Sequence, residues 1–142
     1  MTTRFTASAL FAAMLITLLA ASPARAQKAE DLARQSAESW LALIDAGQYG
    51  ESWDQAASIF KGAITKSDWQ SKVSAARGPL GKIVSRTFKD AQYTKTLAGA
   101  PDGEYVVIRY DASFEHKQSA VETIVPMLDK DGQWRVSGYF IR

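Results

Sequence analysis

The chain has 142 residues, 17 of them Lys or Arg and 15 Asp or Glu, with one histidine and no cysteine. Without cysteine there can be no disulfide, no thiol nucleophile and no lipid attached at a thiol. With a single imidazole besides, a zinc site of the usual kinds cannot be built.

The first segment reads as a secretory signal peptide. Arg4 supplies the positive start, an uncharged apolar run follows from Ala7 to Ala21, and Ser22-Pro23 breaks it. Ala24-Arg25-Ala26 is then a small-x-small cleavage site, with the cut expected after Ala26. The competing reading is a membrane anchor. The run is about 15 residues long, short of the ~20 needed to span hydrocarbon, so no stable anchor is expected after cleavage. Removing 26 of the 142 residues leaves 116, the size of one domain, at residues 27–142. The leader takes Arg4 and Arg25 and no acid, so the remaining charges balance at 15 against 15. The pI of 8.9 therefore belongs to the precursor. The main electrostatic argument for a nucleic-acid partner leaves with the leader.

Three helices are predicted next. Residues 29–46 carry Ala33, Ala37, Trp40, Leu41 and Ile44 on one face at 3.6 residues per turn, and Gly47 stops the run. A second helix is predicted from Gly50 to Lys61, with Trp53, Ala56, Ala57 and Phe60 as its stripe. A third runs from Lys66 to Arg77. Thr65 and Asp68 form a start like a capping box, and Gly78-Pro79 ends it.

After Gly81 the period falls to two. Strands are predicted at 82–95, 104–114, 119–128 and 134–141. Gly99-Ala100-Pro101-Asp102-Gly103 and Asp131-Gly132 are turns, and Pro126 marks an edge or a bulge. Helices followed by strands imply an α+β domain, three N-terminal helices packed on a four-stranded antiparallel sheet. A curved sheet wrapped on helices, the cone of nuclear-transport-factor-like and cystatin-like folds, is the expected form.

Several blocks stand out: Trp40-Leu41-Ala42-Leu43-Ile44-Asp45, Tyr49-Gly50-Glu51-Ser52-Trp53, Arg77-Gly78-Pro79-Leu80-Gly81, Ser85-Arg86, Pro101-Asp102-Gly103-Glu104-Tyr105, Val121-Glu122-Thr123 and residues 131–139. In this order they resemble the domain-of-unknown-function 4019 family of exported bacterial proteins. The resemblance implies a small periplasmic or secreted domain of a Gram-negative bacterium with no assigned activity. It carries no catalytic residues over.

Among polar groups, Glu122 stands out because it interrupts the apolar strand Ala120-Val121-Glu122-Thr123-Ile124-Val125. A carboxylate on a half-buried face must be paired or shifted in pKa. Arg86 and Arg109 also interrupt strands and are its natural partners. Either the residues form a satisfied ion pair, or they line a pocket with Glu122 as base or anchor and arginine as anion clamp. Tyr110 or Tyr139 beside Glu122 would imitate the carboxylate–phenol pair of proton-transfer enzymes on similar folds, an argument from fold alone. Glu122, Arg86, Arg109, Tyr110 and Tyr139 are thus the candidate ligand- or partner-binding residues.

Other features read as structural. His116 sits in a polar turn. Trp40, Trp53 and Trp69 lie on apolar helix faces and read as core, with an aromatic cage as the alternative. Asp129, Asp131 and Gly132 lack the rest of a calcium loop. Lys82, Arg86, Lys89 and Lys95 suit a solvated or edge-protecting set. Gly78 to Gly81 lacks the lysine and hydroxyl of a phosphate loop. No cofactor is expected. The leading expectation is a non-catalytic exported domain that binds a small molecule, a peptide or an envelope protein through the sheet–helix cavity or a sheet edge. A proton-transfer or hydrolytic enzyme using Glu122 and a structural or stress-related accessory protein are the alternatives.

Overall fold

The structure, a computed structural model, describes residues 22–142. The apolar run and the start of the leader lie outside them. Helix α1 spans Pro23–Asp45, with Pro23 in the first turn, where its missing N–H costs nothing. Ala29, Ala33, Ala37, Trp40, Leu41 and Ile44 are its buried residues, the stripe expected from the period. No described helix is long and apolar enough to cross a membrane.

The second expected helix is two helices. Tyr49–Asp54 forms α2 and Ser58–Ala63 forms α3, so the described residues hold four α-helices rather than three. The break has a tertiary cause. Ala57 is extended, fully buried, and donates its N–H to the carbonyl of Val136 at 2.9 Å. The Asp129 carboxylate then accepts from both the N–H and the hydroxyl of Ser58, each at 2.9 Å. The first turn of α3 is therefore capped by a residue 71 positions away. Helix α4 is Lys66–Arg77, and the Thr65 hydroxyl accepts from the Asp68 N–H as a cap. A short 3-10 turn, Gly78–Leu80, follows. Gly81 then takes φ +73°, and a Cβ there would come within 2.9 Å of the Glu115 Cβ. Only glycine lets the chain turn there under the Glu115-His116 turn.

The strands are β1 Ile83–Thr94, β2 Tyr105–Phe114, β3 Lys117–Leu128 and β4 Trp134–Ile141. They pair antiparallel in the order β1-β2-β3-β4, a simple meander. Pro126 lies in an interior strand, and the register shift between Val125 and Pro126 makes the bulge. Helix α1 packs against all four strands, and α2 packs on α4. The core between the layers holds Trp40, Leu41, Ile44, Trp69, Val73, Val106, Ile108, Tyr110, Ile124 and Val136. A smaller cluster of Ala112, Phe114 and Ala120 closes one end of the sheet with Leu80, Ile83 and Ile141.

The helix-borne indoles are core residues, and each N–H is satisfied internally. Trp40 donates to the Ser52 carbonyl at 2.8 Å, Trp69 to the Ser52 hydroxyl at 2.9 Å and Trp53 to the Ile64 carbonyl at 2.9 Å. Trp40 and Trp69 stand 5.9 Å apart, tilted, inside the packed core. They form no open cage.

Candidate functional site

Glu122 is on the inner face of β3 and has no exposed surface. Its register partners are Tyr110 on β2 and Ile141 on β4. Arg86 reaches it from β1, two strands away. Arg86 pairs with Ala112, and Ala112 with Ala120. Two small side chains thus leave a lane across β2, about 9–10 Å long from β1 to β3 at the usual strand spacing, along which a long arginine can lie. Arg86 Nε donates to Glu122 Oε1 at 2.6 Å and Nη2 to Oε2 at 3.2 Å. The Tyr139 hydroxyl donates to Oε2 at 2.5 Å.

The other edge of the Arg86 guanidinium grips Asp45, the last residue of α1. Nη1 donates to Oδ2 at 2.7 Å and Nη2 to Oδ1 at 3.0 Å. Arg77, the last residue of α4 and only 5% exposed, donates to Asp45 Oδ1 at 3.1 Å. Its guanidinium lies 4.9 Å from the Phe114 ring centre, and its Nε is buried without a partner among the described residues. Two carboxylates, two guanidinium groups and one phenol make a cluster of zero formal charge. It ties the C-terminal ends of α1 and α4 to β1, β3 and β4.

Burial alone would lower the pKa of Arg86. Hydrogen bonds to Asp45 and Glu122 outweigh it and hold the group above the ordinary arginine value. Burial pushes the Tyr139 phenol well above its usual range, and the Glu122 charge adds to the effect. Tyr139 is therefore a neutral donor to a carboxylate. Tyr110 is also pushed up, to about 12, first by burial and then by the charge of Glu38. Its hydroxyl turns toward Glu38 at 3.5 Å, away from Glu122.

These shifts predict a titration. The folded state favours the neutral phenols, so their contribution to stability is complete below pH ~10, where free tyrosine ionises. For Tyr110 it is lost as the pH rises through about 12. Phenolate absorbance at pH ~11 should show fewer ionised tyrosines in the native protein than in urea.

Of the five sequence-predicted site residues, the structure brings Glu122, Arg86 and Tyr139 together. Tyr110 shares their face but not their hydrogen bonds. Arg109 is on the outer face, half-exposed and paired with Asp90 through both Nε and Nη2. It is no partner of Glu122, because successive strand residues point to opposite sides and Tyr110 takes the inward place. Asp45 and Arg77 were not anticipated. An acid in the last turn of a helix opposes the helix dipole and calls for a cation. Asp45 at the end of a well-marked helix was that signal.

The remaining candidates are structural here. His116 lies in the exposed β2–β3 turn. Asp129 is used by Ser58 and the Lys130 N–H, and Asp131 by Arg135 and the Gln133 N–H. Among the described residues no three His, Cys, Asp or Glu side chains cluster to hold a metal ion.

The concave surface open to solvent is elsewhere. Among the described residues, Glu122, Arg86 and Tyr139 line none of the five main clefts. One groove of about 300 Å³ runs over the outer face between α3, the Leu97–Ala100 loop and β4, with Val125 and Gly138 on its floor. No charged side chain lines it. Phe140, 58% exposed, and Ile59 stand at its rim. A second cleft of about 500 Å³ shares Ile59 and Tyr105 with it.

Beside this groove the edge of β4 is partly open. Val121 and Arg142 exchange both backbone hydrogen bonds, at 2.9 and 3.0 Å. In an antiparallel ladder such pairs alternate, so Tyr139 and Ile141 turn their N–H and C=O groups away from β3. Farther along, Ala57 of the α3 segment takes the Val136 carbonyl and the Ser36 hydroxyl takes the Trp134 carbonyl, while no residue among those described pairs with the outward groups of Tyr139 and Ile141. The opposite edge, β1, is blunted by register shifts near Val84 and Lys89, and the Glu30 carboxylate accepts the Tyr93 N–H.

No curated protein and no solved structure matches the chain. The pattern of one family, described as "Protein of unknown function (DUF4019)", matches residues 36–139, which hold α1 from Ser36 through most of β4 and all five residues of the buried cluster. The chain belongs to that family.

Proposed function

We propose that this chain is an exported, non-catalytic binding domain that takes an extended apolar peptide segment of a partner protein at the open edge of β4. The observation that carries the reading is the juxtaposition of backbone groups at Tyr139 and Ile141, unpaired among the described residues, with a groove free of charge beside Gly138 and Phe140. Strand addition uses these two elements: backbone hydrogen bonds give affinity, and a pocket for alternate side chains gives selectivity. Export rests on the leader pattern. The four residues of α1 that would leave on cleavage after Ala26 include none that is buried. The order of helices and meander supports a cone-shaped sheet of the nuclear-transport-factor-like or cystatin-like kind.

The sheet–helix interface is a poorer place for a ligand, because Trp40, Trp69 and the ion cluster fill it. The proton-transfer reading loses support for the same reason. Both oxygens of Glu122 are occupied, and the carboxylate has no surface.

Panning a random peptide display library against the protein tests the proposal. Extended apolar sequences should be recovered, and they should move the amide resonances of Tyr139 and Ile141. Gly138 has no positive φ, so it accepts a side chain, and a Cβ there would meet the Phe140 ring at 3.3 Å and the Val125 Cβ at 3.6 Å. Gly138→Val fills the groove floor and should weaken capture at least about tenfold while the protein still melts cooperatively. Peptides that bind with residues 138–141 silent, or equally well to Gly138→Val, would refute it.

A further inference from the structure

Another cleft, of about 370 Å³, opens between α1, the end of α2 and the β3–β4 hairpin, and shares no lining residue with the peptide groove. Its volume is within the range of small-ligand sites, roughly 300–1,000 Å³. The lining combines two indoles, Trp40 on α1 and Trp134 at the start of β4, with polar side chains: Ser39 on α1, Asp54 and Gln55 at the end of α2, and Gln133 and Arg135 beside Trp134.

The charges in this cleft are already paired. Arg135 makes two 2.7 Å hydrogen bonds to Asp131, and Asp54 accepts from Lys66 at 2.7 Å. An ionic ligand would have to compete with these pairs. The hydrogen-bonding capacity left over is neutral. The side-chain amides of Gln55 and Gln133 take no hydrogen bond among the described residues, and both are exposed. Each amide offers two donors and an acceptor. The hydroxyl of Ser39 donates to the Gln35 carbonyl and keeps its lone pairs.

Trp134 differs from the other indoles. Trp40, Trp53 and Trp69 each donate their N–H to an internal acceptor. Trp134 has no such acceptor among the described residues, and its N–H is not among the buried unpartnered atoms. It is a solvent-reachable donor on a partly buried ring. The Ser36 hydroxyl donates to the Trp134 backbone carbonyl at 2.8 Å, which pins that stretch of β4 to α1.

We infer that this cleft is a binding site for a neutral saccharide. A sugar ring offers many uncharged hydroxyls for the two amides and the indole N–H, and an apolar C–H face to lie against an aromatic ring. A fatty ligand would leave the amides unpaired, and an anion would meet Asp54. The ligand could be a free sugar or a sugar unit of a polymeric glycan, since the ring chemistry is common to both.

The test follows the four indole N–H resonances of the isotope-labelled protein, with the Trp134 signal assigned by its loss in Trp134→Phe. N-acetylglucosamine, chitobiose and maltose are titrated to millimolar levels. The Trp134 signal should shift saturably with at least one sugar while the three core signals stay still. Gln55→Ala with Gln133→Ala should weaken that binding about tenfold without lowering the melting temperature. Trp134→Phe should leave peptide capture at β4 intact. Co-sedimentation with insoluble cell-wall sacculi separates the sources. Retention that soluble sugars compete away identifies a polymer-bound unit, and a sugar-induced shift without retention identifies a free sugar. A Trp134 signal that no sugar moves, together with no retention on sacculi, overturns the inference. So does a shift that survives the double glutamine variant unchanged.

Discussion

Arg86→Met should cost about 3–5 kcal/mol of stability, the typical loss when one partner of a buried ion pair is removed. Arg86 supplies two hydrogen bonds to Glu122 and two to Asp45. Without it, Glu122 keeps only the Tyr139 hydroxyl and has no surface through which water could replace the loss. Methionine retains much of the volume, so the cost is electrostatic rather than a cavity. Urea unfolding should show a lower midpoint with an unchanged slope, because the surface exposed on unfolding is the same. Glu122→Gln keeps the shape and one acceptor and should cost less, about 1–3 kcal/mol. If Glu122 were a catalytic group held under strain, its replacement would instead raise stability.

The second large effect is expected at Trp40. The ring is 3% exposed, 5.9 Å from Trp69 and 5.3 Å edge-on from Tyr139. Trp40→Ala should cost about 3–5 kcal/mol, the range for deleting a large buried aromatic. It removes the Trp40–Tyr139 contact between α1 and β4 and leaves the Ser52 carbonyl without its indole donor. Trp40→Phe keeps most of the ring contact and loses only the hydrogen bond, so its cost should be nearer 1 kcal/mol. Chemical denaturation of both variants separates packing from hydrogen bonding at this position.

Much of the architecture could be read from periodicity. The stripe Ala33, Ala37, Trp40, Leu41, Ile44 is the buried face of α1, and the Val106–Phe114 alternation is the inner face of β2. The division of the second helix was hidden because its cause is remote. Ala57 is pulled into extension by Val136, and Ser58 is capped by Asp129. Apolar spacing continues smoothly through residues 53–60 and cannot report a cap delivered from another hairpin.

The candidate site was legible in part. A glutamate flanked by alanine, valine and isoleucine demanded a partner, and it has one. Choosing between Arg86 and Arg109 needed only parity: if Tyr110 faces inward, Arg109 faces out. Asp45 and Arg77 were beyond pattern reading, because two helix ends meet there and only the packing of α1, α4 and the sheet brings them together. The peptide groove was invisible for a different reason. It depends on Gly138 being overlain by Phe140 and on where α3 stops along β4, and both are tertiary facts.

The cluster also bears on binding. Tyr139 anchors the inner face of β4 to Glu122, while the backbone groups of the same residue turn outward, where the proposed peptide would pair. A strand fixed in this way loses little freedom when a peptide joins it, which favours affinity.

Pairwise removal of the opposed charges is the sharpest discriminator. The urea-unfolding free energy of the Arg86→Met, Glu122→Leu double variant should exceed that of Arg86→Met by about 1–3 kcal/mol, since Asp45 and Arg77 then remain as a self-contained pair. A double variant less stable than Arg86→Met, with the two losses simply adding, would contradict the account of Glu122 as the centre of a structural lock.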